Sequence, residues 1–350
     1  MKKALITGIT GQDGSYLSEL LLEKGYEVHG IVRRVALEDS NTRFSRINNI
    51  KDKIIIHSGD IRDIDKTYDI FKTVKPDECY HLAAQSFVQE SFQNPEETRE
   101  INVWGTKNVL FAAKHTNPNV RFYFAATSEM FGDVLETPQK EETPFNPVSP
   151  YARSKVEGFY LTSNAREHNQ LFACSGILFN HESPRRGSEF VTRKITKAAA
   201  RIRWGLENVL VLGNLDAKRD WGFSGDYVQA MWLMLQQDTP DDYVVATGEN
   251  YRIGDFVSKT FGILKIPFKT VDLHHLSKEE ADKEVEKYKK EKGVYILQHP
   301  SFYRPAEVNE LLGDASKAKK QLGWSPKVSF DELIEMMIKN DLEQIKEYKK

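Results

Sequence analysis

Near its start the chain sets a short apolar run, Ala4-Leu5-Ile6-Thr7, directly against Gly8-Ile9-Thr10-Gly11-Gln12-Asp13-Gly14-Ser15. A helical pattern follows through Tyr16, Leu17, Leu20, Leu21 and Leu22. Few folds accommodate G-x-x-G-x-x-G between a strand and a helix. The glycines allow a tight turn and close backbone approach, and the helix amino terminus then faces a pyrophosphate with unpaired N–H groups. Gly8, Thr10, Gly11, Gln12, Asp13 and Gly14 are therefore candidate cofactor-binding residues.

The alternation continues. Val28–Val32, Ile54–His57, Cys79–Ala83, Arg121–Ala126 and Phe172–Phe179 read as strands, with long helices over Glu96–Lys114 and Pro150–His168. This order predicts an α/β fold: a Rossmann-type doubly wound parallel sheet with helices on both faces. A chain of 350 residues exceeds what one core usually supports, so a smaller, mostly C-terminal α/β substrate domain is expected beside it. The predicted division is 1–180 for the dinucleotide-binding domain, with contributions from about 215–250, and 181–350 for the interleaved substrate domain. Asn180–Gly187 is polar and contains proline, which predicts a functional loop. Arg193–Trp204, Tyr227–Gln237 and a closing segment Phe330–Tyr348 read as helices. Ser277–Lys292 is mostly Lys and Glu and reads as a solvated helix with i,i+4 pairs Glu279–Lys283 and Glu286–Lys290.

Composition narrows the function. The net charge of -2, 40% apolar and 29% charged residues fit an ordinary globular protein and give no reason to expect a nucleic-acid or membrane partner. The chain starts straight into a strand and has no apolar run of bilayer length, so a cytoplasmic protein without a signal peptide is expected. Cys79 and Cys174 sit in apolar surroundings and read as buried reduced thiols. The nine histidines form no ligand-spaced cluster, and adjacent His274 and His275 would point apart on a helix, so no metal is expected.

The end of the second strand selects the dinucleotide. Where an NAD binder carries Asp or Glu, this chain reads Val32-Arg33-Arg34. Guanidinium groups suit a 2′-phosphate, so NADP is predicted, with Arg33 as its ligand. The other arginine could be a surface charge or a subunit contact. Asp60 and Ile61 end the third strand, and Asp60 can accept the adenine amino group. The next strand ends in the run that holds Leu82, Ala84, Gln85 and Ser86, where small residues let the backbone pass close to the cofactor.

The strand Arg121–Ala126 ends in Thr127-Ser128-Glu129, and Ser149-Pro150-Tyr151-Ala152-Arg153-Ser154-Lys155 opens the next helix. Tyr151 and Lys155 are i and i+4 on one face. A phenol titrates near ~10, and a neighbouring ammonium together with a cationic nicotinamide would lower it toward use as a base. Glycine loop, strand-end Thr and Tyr-x-x-x-Lys together identify the chain as resembling the extended, nucleotide-sugar branch of the short-chain dehydrogenase/reductase family. The resemblance supplies the triad Thr127, Tyr151 and Lys155. Glu129 points to elimination: beside a C4 ketone, a carboxylate can remove the C5 proton and protonate a departing C6 hydroxyl. Its alternative is a turn cap or a solvent-facing charge.

Longer strings are similar to the GDP-mannose 4,6-dehydratases: Gly8–Ser15, Val32–Arg34, His81–Val88, Thr127–Gly132, Gly176–Gly187, Phe190–Lys194, Leu212–Trp221 and Phe302–Asp314. That resemblance implies a lyase converting GDP-mannose to GDP-4-keto-6-deoxy-mannose through bound NADP. It implies cofactor contacts at Lys155, His181 and Arg186. It implies substrate contacts at Ser86, Glu129, Asn180, Lys194, Arg219, Arg304 and Glu307, and a homotetramer. Val35–Arg46 and Ser277–Lys292 depart from the family's commonest form. The rival readings are a dehydratase of a related GDP sugar such as GDP-manno-heptose, a nucleotide-sugar epimerase or reductase, and a non-catalytic NADP-sensing protein.

Overall fold

The structure is a computed structural model in which residues 1–303, 308 and 310–348 are described. The first half runs β1 (Lys3–Thr7), α1 (Gln12–Glu23), β2 (Glu27–Val32), α2 (Arg34–Glu38), α3 (Ser40–Arg43), β3 (Ile55–Ser58), α4 (Ile64–Val74), β4 (Glu78–His81), α5 (Val88–Gln93) and α6 (Pro95–Arg99). A π-helical turn, Glu100–Trp104, leads into α7 (Gly105–Thr116), then β5 (Arg121–Ala125), α8 (Pro150–Glu167) and β6 (Phe172–Leu178). The second half runs β7 (Asn180–Glu182), α9 (Val191–Arg203), β8 (Val209–Leu212), β9 (Lys218–Arg219), β10 (Trp221–Phe223), α10 (Ser224–Met234) and β11 (Tyr243–Val245). It ends with β12 (Tyr251–Arg252), α11 (Ile253–Ile263), β13 (Lys269–Asp272), α12 (Lys278–Tyr288), β14 (Tyr295–Gln298) and α13 (Phe330–Tyr348).

Seven strands form the central sheet in the order β11-β6-β5-β4-β1-β2-β3, every neighbouring pair parallel. The pleat sends alternate side chains to opposite faces. Ala4 and Ile6 join Leu17 and Leu21 of α1 and Met231 and Met234 of α10. Leu5 joins Phe71 of α4 and Val109 and Ala113 of α7 on the other face. Chain order reverses between β1 and β4, which opens a crevice at the carboxyl ends of the strands. Cys79 and Cys174 are free and buried in this sheet, and burial pushes both thiols up, Cys174 to about 12.

The rest of the chain packs beside that crevice. Helices α9, α11 and α13 share a core through Ile195, Ala199, Phe256, Phe261, Ile334 and Met337. A parallel sheet of three strands, β13-β14-β8, borders it. The Lys/Glu-rich α12 is more than a solvated helix, because Ala281 and Val285 pack against Leu273, Tyr295 and Leu297. Its charges also pair differently from expectation, at i,i+3 as Glu284–Lys287 and Glu286–Lys289. Two further expectations are corrected. The loop predicted over 180–187 begins as β7, which pairs in parallel with the distant β10. The single helix predicted over 96–114 is interrupted by the π-helical turn.

Candidate active site

A cleft of about 690 Å³ opens at the carboxyl ends of the strands. Its wall gathers Gly8, Thr10, Gly11, Gln12, Asp13, Gly14, Arg33, Asp60, Ile61, Leu82, Ala84, Gln85, Ser86, Lys155, His181 and Arg186, all the expected cofactor residues. Thr127, Glu129, Tyr151 and Asn180 lie in the same wall. Lys194 and Arg219 are not part of this lining. Arg304 and Glu307 lie outside the described residues.

The cradle between β1 and α1 has no room for side chains. Gly8 has φ +75°, and a Cβ there would meet Ala83 N at 2.8 Å. A Cβ on Gly14 would meet Gly8 O at 2.4 Å. Thr7 holds the next loop in place: its hydroxyl accepts from Leu82 N and Ala83 N, each at 3.1 Å, and pairs with His81 Nδ1 at 2.8 Å. Asn102, invisible to motif reading, comes from the π-helical turn. It accepts from Gln85 N at 2.8 Å and donates to Gln85 O at 3.0 Å and to Ser154 Oγ at 2.9 Å. It thereby joins the cofactor-side loop to the helix that carries Tyr151 and Lys155.

The arginine pair separates as its chemistry allows. Arg33 lines the cleft, whereas Arg34 pairs with Glu38 on the exposed face of α2. Arg43 and Arg46 also line the cleft. Arg46 Nε donates to Arg185 O at 2.6 Å, and a second nitrogen reaches Thr10 O at 3.3 Å. The run Asn41-Thr42-Arg43-Phe44-Ser45-Arg46 held that signal, two cations in a segment following the second strand. Asp60 has a partner of its own as well as its place in the cleft wall: Arg62 donates to its two carboxylate oxygens at 2.7 and 3.1 Å. The Arg62 hydrogen bond is also what holds that carboxyl below its ordinary range.

At the chemical end, β5 delivers Thr127 as the cap of a short 3-10 turn, Ser128–Met130, with its hydroxyl accepting from Glu129 N at 3.3 Å. Ser149 caps α8 by accepting from Ala152 N at 3.0 Å, and Pro150 fills the first turn. This start directs Tyr151 to Thr127, whose side chain hydrogen-bonds the phenol. Glu129, Tyr151 and Lys155 are 8%, 7% and 5% exposed, so all three are withdrawn from bulk water. Burial pulls Lys155 down to about 8, and its ammonium donates to Ala125 O at 2.8 Å. Burial raises the phenol, the Thr127 hydrogen bond opposes that rise, and the Glu129 charge adds to it.

On the substrate side, burial pulls Lys194 on α9 down to about 8, and its ammonium lies 3.7 Å from the centroid of the Phe302 ring. Arg219 is buried and donates to Lys218 O at 2.9 Å and Val308 O at 2.7 Å. Arg186 pairs with Glu182 at 3.0 Å over the Phe190 ring. His274 and His275 occupy the turn after β13, not a helix, and with exposed Asp272 bring three potential ligand atoms within 4.8 Å of one another.

Residues 5–337 match the family described as GDP-mannose 4,6 dehydratase. GDP-mannose 4,6 dehydratase 1 of Arabidopsis thaliana is 48% identical over 360 residues, spanning 99% of this chain and 92% of that protein. The GDP-mannose 4,6-dehydratase of Vibrio cholerae serotype O1 is 48% identical over 356 residues, spanning 98% of this chain and 94% of that protein. Among solved structures, RMD from Pseudomonas aeruginosa complexed with NADPH aligns with a TM-score of 0.76 at 20% identity, over 98% of this chain and 100% of that one. A Thermus thermophilus UDP-glucose 4-epimerase complex with NAD aligns with a TM-score of 0.77 at 24% identity, over 97% and 98%. At those identities the structural likeness establishes the fold alone.

Proposed function

The chain belongs to the GDP-mannose 4,6-dehydratase family, and from that premise we propose that it converts GDP-mannose to GDP-4-keto-6-deoxy-mannose with bound NADP. The observation that carries the reading is Glu129, buried in the cleft wall beside Thr127, Tyr151 and Lys155. The cofactor residues fit NADP. Their glycine cradle is packed too closely to admit a Cβ at Gly8 or Gly14, and Arg33, Arg43 and Arg46 line the cleft beyond β2.

Held by these residues, NADP would supply the hydride chemistry in both directions, so no external reductant would be consumed. The chain's own residues handle the protons. Tyr151 takes the O4 proton as a phenolate, which burial opposes and which the Thr127 hydrogen bond, together with a bound cationic nicotinamide, would favour; Thr127 also orients O4. Lys155 keeps a cation beneath the site while it is protonated, below about 8. Glu129 removes the C5 proton, now acidic beside the ketone, and delivers a proton to the departing C6 hydroxyl; C5 is then reprotonated, and the proton Tyr151 took from O4 closes the count. Ser86 and Asn180, both in the cleft wall, would bind the sugar and diphosphate. Lys194, Arg219 and Arg304 supply cations for the diphosphate and nucleotide, and Glu307 a carboxylate for the ribose diol.

The domain division falls near residue 180, with α10 and β11 returned to the first domain; the pairing of β11 with β6 supports it. A cytoplasmic homotetramer is the assembly we assign. Exposed Trp104, Phe111 and Tyr160 along the π-helical turn, α7 and α8 support burial of that face. Among the described residues, no helix is long and apolar enough to cross a membrane.

Incubation with GDP-mannose, without added reductant, tests the reaction by mass. Loss of one water with no net NADPH change is the expected result. An unchanged mass with NADP bound would reject GDP-mannose and direct the same assay to GDP-manno-heptose.

A further inference from the structure

The surroundings of His181 leave its ring no acceptor role. Nδ1 lies 2.7 Å from Phe179 O and Nε2 lies 2.9 Å from Asp13 Oδ2. A carbonyl and a carboxylate only accept, so both ring nitrogens must donate. A neutral imidazole carries one N–H and would turn a lone pair toward an oxygen. The seam is closed on its other sides too. Asp13 Oδ1 accepts from Ser224 Oγ of α10 at 2.7 Å and from Gln12 Nε2 at 3.2 Å. The imidazole stacks on Tyr227, with centroids 4.7 Å apart and planes at 23°. Gln12 crosses the same seam twice, donating to His181 O at 3.0 Å and accepting from Ser183 Oγ at 2.8 Å.

We propose that Asp13 is a positioning residue that holds His181 as an imidazolium, latching the phosphate cradle to β7 and keeping this wall of the cleft electrically neutral for an anionic dinucleotide. The arrangement makes the latch a matter of charge as well as shape. With both groups ionised the pair sums to zero. If the ring loses its proton while Asp13 keeps its charge, the wall gains a net negative charge beside the pyrophosphate and one hydrogen bond is lost.

The titration of both partners agrees with the geometry. Burial opposes the Asp13 carboxylate, but the His181 charge and hydrogen bond and the Ser224 hydroxyl outweigh it and hold it at about 2. Burial alone would lower His181; the Asp13 carboxylate overrides that and raises it. Arg186, reaching over from beyond β7, opposes the rise, and Tyr227 from α10 is itself pushed far up by burial and stays neutral. The stability the pair contributes is therefore lost on the acid side as pH falls through about 2 and on the alkaline side as pH rises through the raised His181 value.

Asp13→Asn tests the proposal with little change of shape. An asparagine amide can donate to a neutral His181, so every hydrogen bond and the net charge of the pair survive, but the titrating charge is gone. Histidine-selective 15N NMR, with the His181 signals assigned by their absence from His181→Gln, reads the protonation state without any cofactor. Wild-type His181 is expected to carry protons on both nitrogens through the pH range in which an ordinary imidazole loses one, and the Asp13→Asn protein on one. The consequence for affinity rests on the NADP reading. Wild-type NADP binding, followed by fluorescence, should weaken above the His181 pKa by up to about tenfold per pH unit more than binding by Asp13→Asn and His181→Gln, which keep only the limb they share with wild type from Lys155 at about 8. A neutral His181 in the wild type at neutral pH would overturn the latch whatever the cofactor. An imidazolium combined with identical alkaline limbs in all three proteins would overturn its role in cofactor binding.

Discussion

Lys155 shows at the scale of one residue how a working site can oppose stability. Burial moves its ammonium from 10.5 to about 8, which corresponds to about 3 kcal/mol against the charged form at neutral pH. Lys155→Met removes that cost and the bond to Ala125 O together. The variant should be more stable than wild type by ~1–2 kcal/mol while turnover falls by ~100-fold or more. The folded value lies below the unfolded one, so the cost is full below about 8 and fades as pH rises toward 10.5. Thermal melts across that range should therefore show the two Tm values converging. Glu129→Gln keeps shape and removes the base. Dehydration should fall by ~100-fold to 10,000-fold, with partial C4 oxidation still visible in the nicotinamide absorbance. Full turnover by that variant would remove Glu129 from the mechanism.

Among the elements, the π-helical turn carries the clearest consequence. Asn102→Ala leaves Gln85 N and O without their partner and should cost ~1–3 kcal/mol in urea denaturation, with weaker NADP binding. Unchanged binding would mean that other contacts hold the 82–86 loop. This turn also marks where sequence reading stops. Strands β1, β2, β5 and β6, the cradle and the Tyr151–Lys155 helix were legible because each carries its cause locally, in apolar runs, glycines or a Ser-Pro start. Helical periodicity also revealed the 96–114 segment, but a single π-turn inserts too little to disturb that pattern while rotating Asn102 toward Gln85. Strand β7 was hidden for another reason. Asn-His-Glu has no strand signature, and its partner β10 arrives much later in the chain. The same distance hid the Asp13–His181 pair: both residues were singled out for the cofactor, and nothing in their spacing said that they bind each other.

For the whole molecule, the two halves of the substrate side depend on a buried ion pair between Arg193 of α9 and Asp341 of α13. Asp341→Ala leaves the arginine charged and unpaired and should cost ~3–5 kcal/mol by urea denaturation. Because α9 also carries Lys194, the KM for GDP-mannose should rise more than kcat falls. A variant as stable as wild type would show that Arg193 finds another partner. The central sheet has a dependence of its own, set by the order in which its strands are made. β11 covers the outer edge of β6, yet the whole stretch from 179 to 242 must be synthesised between them. At ~5–20 residues per second, a nascent chain carries an open sheet edge for roughly several seconds on the ribosome. During that interval the half-made protein offers a template to any neighbouring strand. A gene cut near residue 180 would make that condition permanent, so its product should aggregate instead of yielding a free-standing dinucleotide-binding module.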